Sequence, residues 1–213
     1  MEKTLNSFNE IYKGSGMEYP IDMVINFLEK RYSMLDYNTR KAVKALDIGF
    51  GPGSNLKALL DYGFLTYGID YSEICVNQVK EKYSYYKNMA VGGGIIRGDF
   101  LYHKFKEKFG VILCTGSIFL NPIDEIKKML DLIYEILDSS NGYALINFYS
   151  GDVDEFCYAP LFDNKLKIQW LTFSTMKKLL EEAGFIISNI EYTSYHKITL
   201  QKEYKRYWFE VTK

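Results

Sequence analysis

Asp47, Gly49, Gly51 and Gly53 stand close together in the segment Ala45-Leu46-Asp47-Ile48-Gly49-Phe50-Gly51-Pro52-Gly53. Glycines at this density serve a turn that needs positive φ, or a place where a ligand comes close to the main chain. The segment leads from an apolar run into a helical pattern, so it presents free amides at a helix start, where an anionic group is welcome. The spacing is G-x-G-x-G, and Ser54 follows Gly53 where the dinucleotide fingerprint G-x-G-x-x-G would carry its third glycine. Asp47 stands just before the loop. Next to a diphosphate its carboxylate would oppose like charge, whereas next to an ammonium group it would be favourable. The loop therefore suits an amino-acid tail better than a diphosphate.

Two further acids extend the constellation. Asp70 ends the second apolar run, 21 residues after Gly49. In a doubly wound sheet this position lies beside the first loop, where a ribose sits. A carboxylate there accepts from both ribose hydroxyls, each charge-assisted bond contributing about 1.5–3 kcal/mol. Asp99, in Arg97-Gly98-Asp99-Phe100, is placed to accept from an adenine amino group, with Tyr71 and Phe100 to cover the ring. A nucleoside joined to an amino-acid end without phosphate is S-adenosylmethionine. NAD shares the requirement for Asp70, and Asp47 is the residue that argues against it. The plainer alternatives are a tight turn at the glycines, a helix cap or solvated acid at Asp70, a loop acid capping the next helix at Asp99, and ordinary core packing for Tyr71 and Phe100.

The elements that must hold these residues alternate. Pro20 opens a helical pattern with Ile21, Val24, Ile25 and Leu28, ending near Ser33. Residues 36–41 read as a polar loop and 43–48 as a buried strand. A helix over 54–60 ends at Gly63, and a second strand covers 64–70. Ser72 caps a helix that turns Ile74, Val76 and Val79 inward. Short strands follow at 95–98, after the Gly92-Gly93-Gly94 turn, and at 111–115. Asn121 as cap and Pro122 as first residue start a helix that runs to about Leu137. A fifth strand covers 143–149, residues 150–171 read as an irregular insertion, and Thr172 or Ser174 caps a helix ending at Gly184. Runs at 185–195 and 204–211, joined by 196–203, make a closing hairpin. This order implies a parallel sheet with right-handed crossovers and an antiparallel edge strand.

The whole chain sets the frame. It has 213 residues with 47% hydrophobic and 25% charged residues, the profile of one globular domain over 1–213, with a lid and helix at 1–41 and a substrate-side insertion at 150–171. The 26 Lys and Arg against 27 Asp and Glu give a net charge of −1, which speaks against nucleic acid and anionic membrane as partners. No apolar run approaches the ~18 residues of a span, and the first residues lack the apolar core of a signal peptide, so the expected location is the cytoplasm. Cys75, Cys114 and Cys157 match no zinc or disulfide spacing, and no metal is expected. His103 and His196 read as surface residues, the first on a solvated helix face. The clusters Lys104-Lys106-Lys108 and Lys202-Lys205-Arg206 read most simply as solvated faces, though either could touch phosphate. The 19 tyrosines fit amphipathic packing or an aromatic pocket equally well.

Residues 47–53, Asp70, Gly98-Asp99 and the 111–116 strand resemble the motifs of class I S-adenosylmethionine-dependent methyltransferases. The likeness covers about residues 43–149, and the helix and strand of Lys178-Leu179-Leu180-Glu181-Glu182-Ala183-Gly184-Phe185 extend it in outline. It implies a three-layer αβα sandwich around a seven-stranded, doubly wound sheet of order 3-2-1-4-5-7-6 with strand 7 antiparallel, preceded by a helical lid. It also implies that Gly49, Gly51 and Gly53 shape the cofactor loop, that Asp70 holds the ribose and that Asp99 meets adenine. The Cys114-Thr115-Gly116-Ser117 strand end would face the methyl group. Thr115 joins the cofactor set there and Ser117 the substrate set. The Asn/Asp-Pro-Pro-Tyr/Phe motif of enzymes that methylate adenine or glutamine amino groups is missing at this point. Tyr12 and Tyr19, flanking a glycine-rich bend, are similar to lid segments of small-molecule members, and Tyr149 and Tyr158 complete the candidate substrate wall. No catalytic base is assigned, since an amine or thiolate acceptor needs none. The expectation is methyl transfer to O, N or C of a small molecule, leaving S-adenosylhomocysteine, by a monomer or homodimer. The rival readings are an NAD-dependent oxidoreductase, a non-catalytic cofactor-binding module and a nucleic-acid methyltransferase.

Overall fold

The computed structural model describes residues 19–86, 88–89, 94–197 and 202–213. Tyr12 and most of the Gly92-Gly93-Gly94 turn lie outside this range. The strands run in the order β3-β2-β1-β4-β5, then β9 and β8, and β9 is antiparallel to β5 and β8. With helices on both faces this is the expected αβα order, β8 and β9 standing as strands six and seven. By contacts the chain divides into two compact units meeting between Leu113 and Cys114.

The first unit holds α1 (Asp22–Tyr32), α2 (Tyr37–Ala42), β1 (Lys44–Ile48), α3 (Ser54–Asp61), β2 (Leu65–Asp70), α4 (Glu73–Lys82), β3 (Ile95–Arg97) and most of β4 (Val111–Cys114). The strands are parallel, with Leu46 opposite Tyr67 and Ile112, and Asp70 opposite Arg97. β4 is buried throughout and β1 at all but its first residue, which explains why these two read as buried runs. Phe50, Leu56, Leu60, Val76, Val79 and Tyr83 form a shared core, in which Cys75 takes the inward place expected of Ile74. The cap of α4 stands as expected, Ser72 Oγ accepting from Cys75 N at 3.3 Å. Residues 36–41 are not a loop. Asp36 caps α2, its Oδ1 accepting from Thr39 N at 2.9 Å. This helix buries no residue, so it has no apolar period for a sequence reading to detect. Nor does a helix carry His103, which lies in an irregular segment with its ring 4.5 Å from that of Phe105.

The second unit holds a 3-10 turn (Ile118–Leu120), α5 (Ile123–Ile136), β5 (Tyr143–Ser150), β6 (Glu155–Tyr158), β7 (Lys167–Leu171), α6 (Phe173–Glu182), β8 (Ile186–Lys197) and β9 (Lys202–Thr212). Helix α5 buries Ile126, Met129, Leu130, Ile133 and Ile136 along one stripe. It starts one residue later than Asn121 and Pro122 suggested, Pro122 being the cap, and its Ile123 N donates to Gln169 Oε1 at 3.0 Å. Residues 150–171 are not irregular. β6 and β7 form an antiparallel hairpin, and β7 runs parallel to the end of β5 through Tyr149–Trp170 and Ser150–Leu171 pairs. Tyr149 thus has Arg206 of β9 on one edge and Trp170 of β7 on the other. β6 exposes three of its four residues, so only its partner strand reveals it.

Candidate functional site

In the first unit the loop after β1 is built by glycine geometry. Gly49, Gly51 and Gly53 have φ of 72°, 53° and 87°, a region costly for residues with a Cβ. A Cβ on Gly53 would also lie 2.6 Å from Val79 Cγ2 and 2.9 Å from Tyr83 Cε2, so α4 leaves no room for one. Gly49 N donates to Ile69 O at 2.8 Å and Gly53 N to Phe50 O at 2.9 Å, which fixes the bend.

Asp70 locks this loop to β2. Its Oδ2 accepts from Gly51 N at 2.8 Å and its Oδ1 from Ser72 N at 2.7 Å. Each carboxylate oxygen keeps a second lone pair for another donor. Burial raises the Asp70 pKa, against the lowering effect of the Ser72 and Gly51 amides. Asp47 is 1% exposed, and neither of its side-chain oxygens has a hydrogen-bond partner. Burial, and secondarily the charge of Asp70, pushes its pKa up to about 8. An unpaired buried carboxyl is expensive, and a cationic ligand group would relieve that cost. Oxygens enclosed without a donor, beside a backbone cradle free of side chains, fit the ammonium of an amino-acid tail. The donor set offers nothing to neutralise a diphosphate.

Asp99 is half-buried, with Oδ1 accepting from Leu101 N at 2.9 Å, an Asx-type turn rather than the cap of a helix. Phe100 is buried against Phe105, ring centres 6.3 Å apart, while Tyr71 is 45% exposed and Tyr19 79% exposed.

In the second unit Thr115 is buried at the end of β4 and Ser117 Oγ lies 3.7 Å from Cys114 Sγ. Between them Gly116 has φ 85°, and a Cβ there would meet nothing within 4 Å. Its N–H donates to Asn147 Oδ1 at 3.0 Å. Asn147 is fully buried and its Nδ2 has no partner. Tyr149 is 1% exposed among Phe119, Phe162, Trp170 and Tyr195, with Phe119 at 4.6 Å between ring centres. Tyr158 is exposed, with Lys167 Nζ 5.1 Å from its ring centre.

Asn147 and Gln169 escaped the sequence reading. Arg206 is not part of a solvated basic face. Its guanidinium lies 4.5 Å from the Tyr149 ring centre, while Lys205 lies over Tyr192. Strand alternation sends neighbouring residues to opposite faces, and that period was the available signal. For Asn147 the signal was a lone polar residue in the middle of an otherwise buried strand.

Residues 45–140 match the family model described as a methyltransferase domain. Among curated protein sequences none matches. Many solved structures share the fold. The Burkholderia thailandensis 1,6-didemethyltoxoflavin N1-methyltransferase is 15% identical over 90% of this chain and 88% of its own, with a TM-score of 0.64. The Haemonchus contortus phosphoethanolamine N-methyltransferase 2 is 14% identical over 98% of this chain and 56% of its own, with a TM-score of 0.68. The Synechocystis magnesium protoporphyrin IX methyltransferase is 18% identical over 98% of this chain and 90% of its own, with a TM-score of 0.61. At these identities the likeness carries the fold alone.

Proposed function

Since residues 45–140 match the methyltransferase-domain family model, we propose that this protein is a class I S-adenosylmethionine-dependent methyltransferase that methylates O, N or C of a small molecule. The observation that carries this reading is Asp47, a buried carboxyl without a partner at the mouth of a glycine loop. In this role Asp47 takes the ammonium of the amino-acid tail. Gly49, Gly51 and Gly53 let the main chain come close, and Asp70 accepts from the ribose hydroxyls while tying Gly51 and Ser72 in place. Asp99 accepts from the adenine amino group, with Phe100 and Tyr71 near the ring.

S-adenosylmethionine supplies, when bound, a methyl group made electrophilic by its sulfonium. What the chain contributes is alignment of an acceptor atom with that carbon, and exclusion of water around it. For the acceptor we propose Ser117, Tyr149 and Tyr158 of the second unit, and Tyr19 is a separate candidate in the first. Tyr12 belongs to the same proposed wall, beyond the described residues. A small acceptor is supported by the near-neutral charge balance of 26 basic and 27 acidic residues, where a nucleic-acid enzyme would carry a basic stripe. Two proteins of this fold hold bound 1,6-didemethyltoxoflavin and phosphomonomethylethanolamine, compounds of the proposed size.

Thermal unfolding with S-adenosylmethionine, S-adenosylhomocysteine and NAD tests the cofactor. A ligand at a hundredfold excess over its Kd adds about 2.7 kcal/mol, or roughly 5–10 °C for this chain length. Stabilisation by the first two and not by NAD is expected, and the reverse pattern would refute the reading. A screen of metabolite pools with a labelled methyl donor then finds the acceptor. Cofactor binding with no transfer to any pool would point to a non-catalytic module.

A further inference from the structure

The β5–β9–β8 face of the second unit carries a cation that the reading so far leaves unused. Arg206 pairs with Tyr149 near the carboxyl end of β5, and ligands of open α/β sheets sit outside those ends. Its Nη2 donates to the Tyr149 hydroxyl. Its guanidinium lies 4.5 Å from the Tyr149 ring centre and 5.5 Å from that of Trp208. Its Nε–H is buried with no partner. Among the described residues no carboxylate pairs with it. Yet a guanidinium is always charged and has five donors to place. The Tyr195 hydroxyl faces the Tyr149 hydroxyl and Arg206. A half-buried cation held by ring faces and phenols, with donors to spare, lacks an anion.

Asn147, two residues before Tyr149 on the same strand face, points the same way. Its Oδ1 is held by Gly116 N, which fixes the amide orientation and leaves Nδ2 as a buried donor without an acceptor. Gly116 itself borders open space. A strip thus runs along one face from the end of β4 to Arg206, rich in donors and poor in acceptors.

We propose that Arg206 is the recognition point for an oxyanion, a carboxylate or a phosphate, carried by the methyl acceptor. Tyr149 and Tyr195 hold the guanidinium in place, and the open space beside Gly116 takes the body of the molecule. The proposal rests on the methyl-transfer reading for the identity of its ligand, while the anion site itself is testable alone.

The test uses the full chain, with and without S-adenosylhomocysteine, and follows the ¹⁵N–¹H resonance of Arg206 Nε, identified by its loss in Arg206→Met. Inorganic phosphate, benzoate and neutral benzamide are titrated in turn. Phosphate or benzoate should shift the resonance saturably and benzamide should not, which separates a phosphate from a carboxylate ligand. Arg206→Met should weaken the responding anion by about tenfold or more, and Arg206→Lys, which keeps the charge but loses the planar fork, by less. An equal response to benzamide, or no response to either anion, overturns the proposal. The wild-type titration decides this even if Arg206→Met does not fold. Calorimetry with S-adenosylhomocysteine, run separately, reports on the cofactor reading. Failure there with an intact anion response would remove methyl transfer and leave the oxyanion site standing.

Discussion

Asp47→Asn should make the protein more stable and its ligand binding weaker, and the pH dependence of both effects follows from burial. The Asp47 carboxyl, enclosed and unpaired, titrates near pH 8 instead of the ordinary 3.8. Below about pH 4 the folded and unfolded chains both hold its proton, and this residue costs no stability. Above that, the unfolded chain releases the proton while the folded chain keeps it. Stability therefore falls by ~1.4 kcal/mol per pH unit until the folded carboxyl also ionises, a total on the order of 5 kcal/mol. Asparagine cannot ionise, so the stability difference between Asp47→Asn and wild type should grow by about 2–3 kcal/mol from pH 5.5 to pH 7.5. Urea unfolding across this range measures it, and taking the difference cancels the other titrating groups. A ligand bearing an ammonium needs the carboxylate form. At pH 7 its binding should release about 0.9 proton per molecule, read by calorimetry in buffers of different ionisation heat. The variant should release none of it and bind about ten- to a hundredfold more weakly. A stability difference that stays flat with pH, together with S-adenosylhomocysteine binding that leaves proton balance and affinity unchanged in Asp47→Asn, would refute the reasoning.

Asp70→Ala removes the acceptor for Gly51 N and Ser72 N as well as that for the ribose, so its affinity for S-adenosylhomocysteine should fall at least about tenfold, and Asp99→Ala should lose less; calorimetry ranks the two. Gly53→Ala meets both a positive φ and the Val79 and Tyr83 side chains, and should lose roughly 2–4 kcal/mol in urea unfolding. Gly116→Ala has the same backbone strain without a clash and should lose only about 1–2 kcal/mol; equal losses would show that packing against α4 does not matter. Thr172→Ala takes away the oxygen that accepts from Thr175 N at the start of α6 and should cost about 1 kcal/mol, seen as a lower urea midpoint with unchanged slope.

The sequence by itself determined what depends on neighbours along the chain. The apolar period of α5, the caps at Ser72 and Thr172, the runs that became β1, β2 and β5, and the glycine loop with its preceding acid all follow from local sterics and patterning. The resemblance to methyltransferase motifs supplied the strand order, which local pattern does not contain. Tertiary structure alone decided the rest. It withheld every hydrogen-bond donor from Asp47, a property of the enclosure rather than of the aspartate. It made a hairpin of β6 and β7, because an exposed four-residue strand forms only against a partner edge. It supplied Gln169 to the first turn of α5 across 46 residues of chain. It also drew Arg206 beneath Tyr149, 57 residues away in sequence. Each of these rests on groups far apart along the chain being held within hydrogen-bond or ring-contact distance, and only pairing and packing do that.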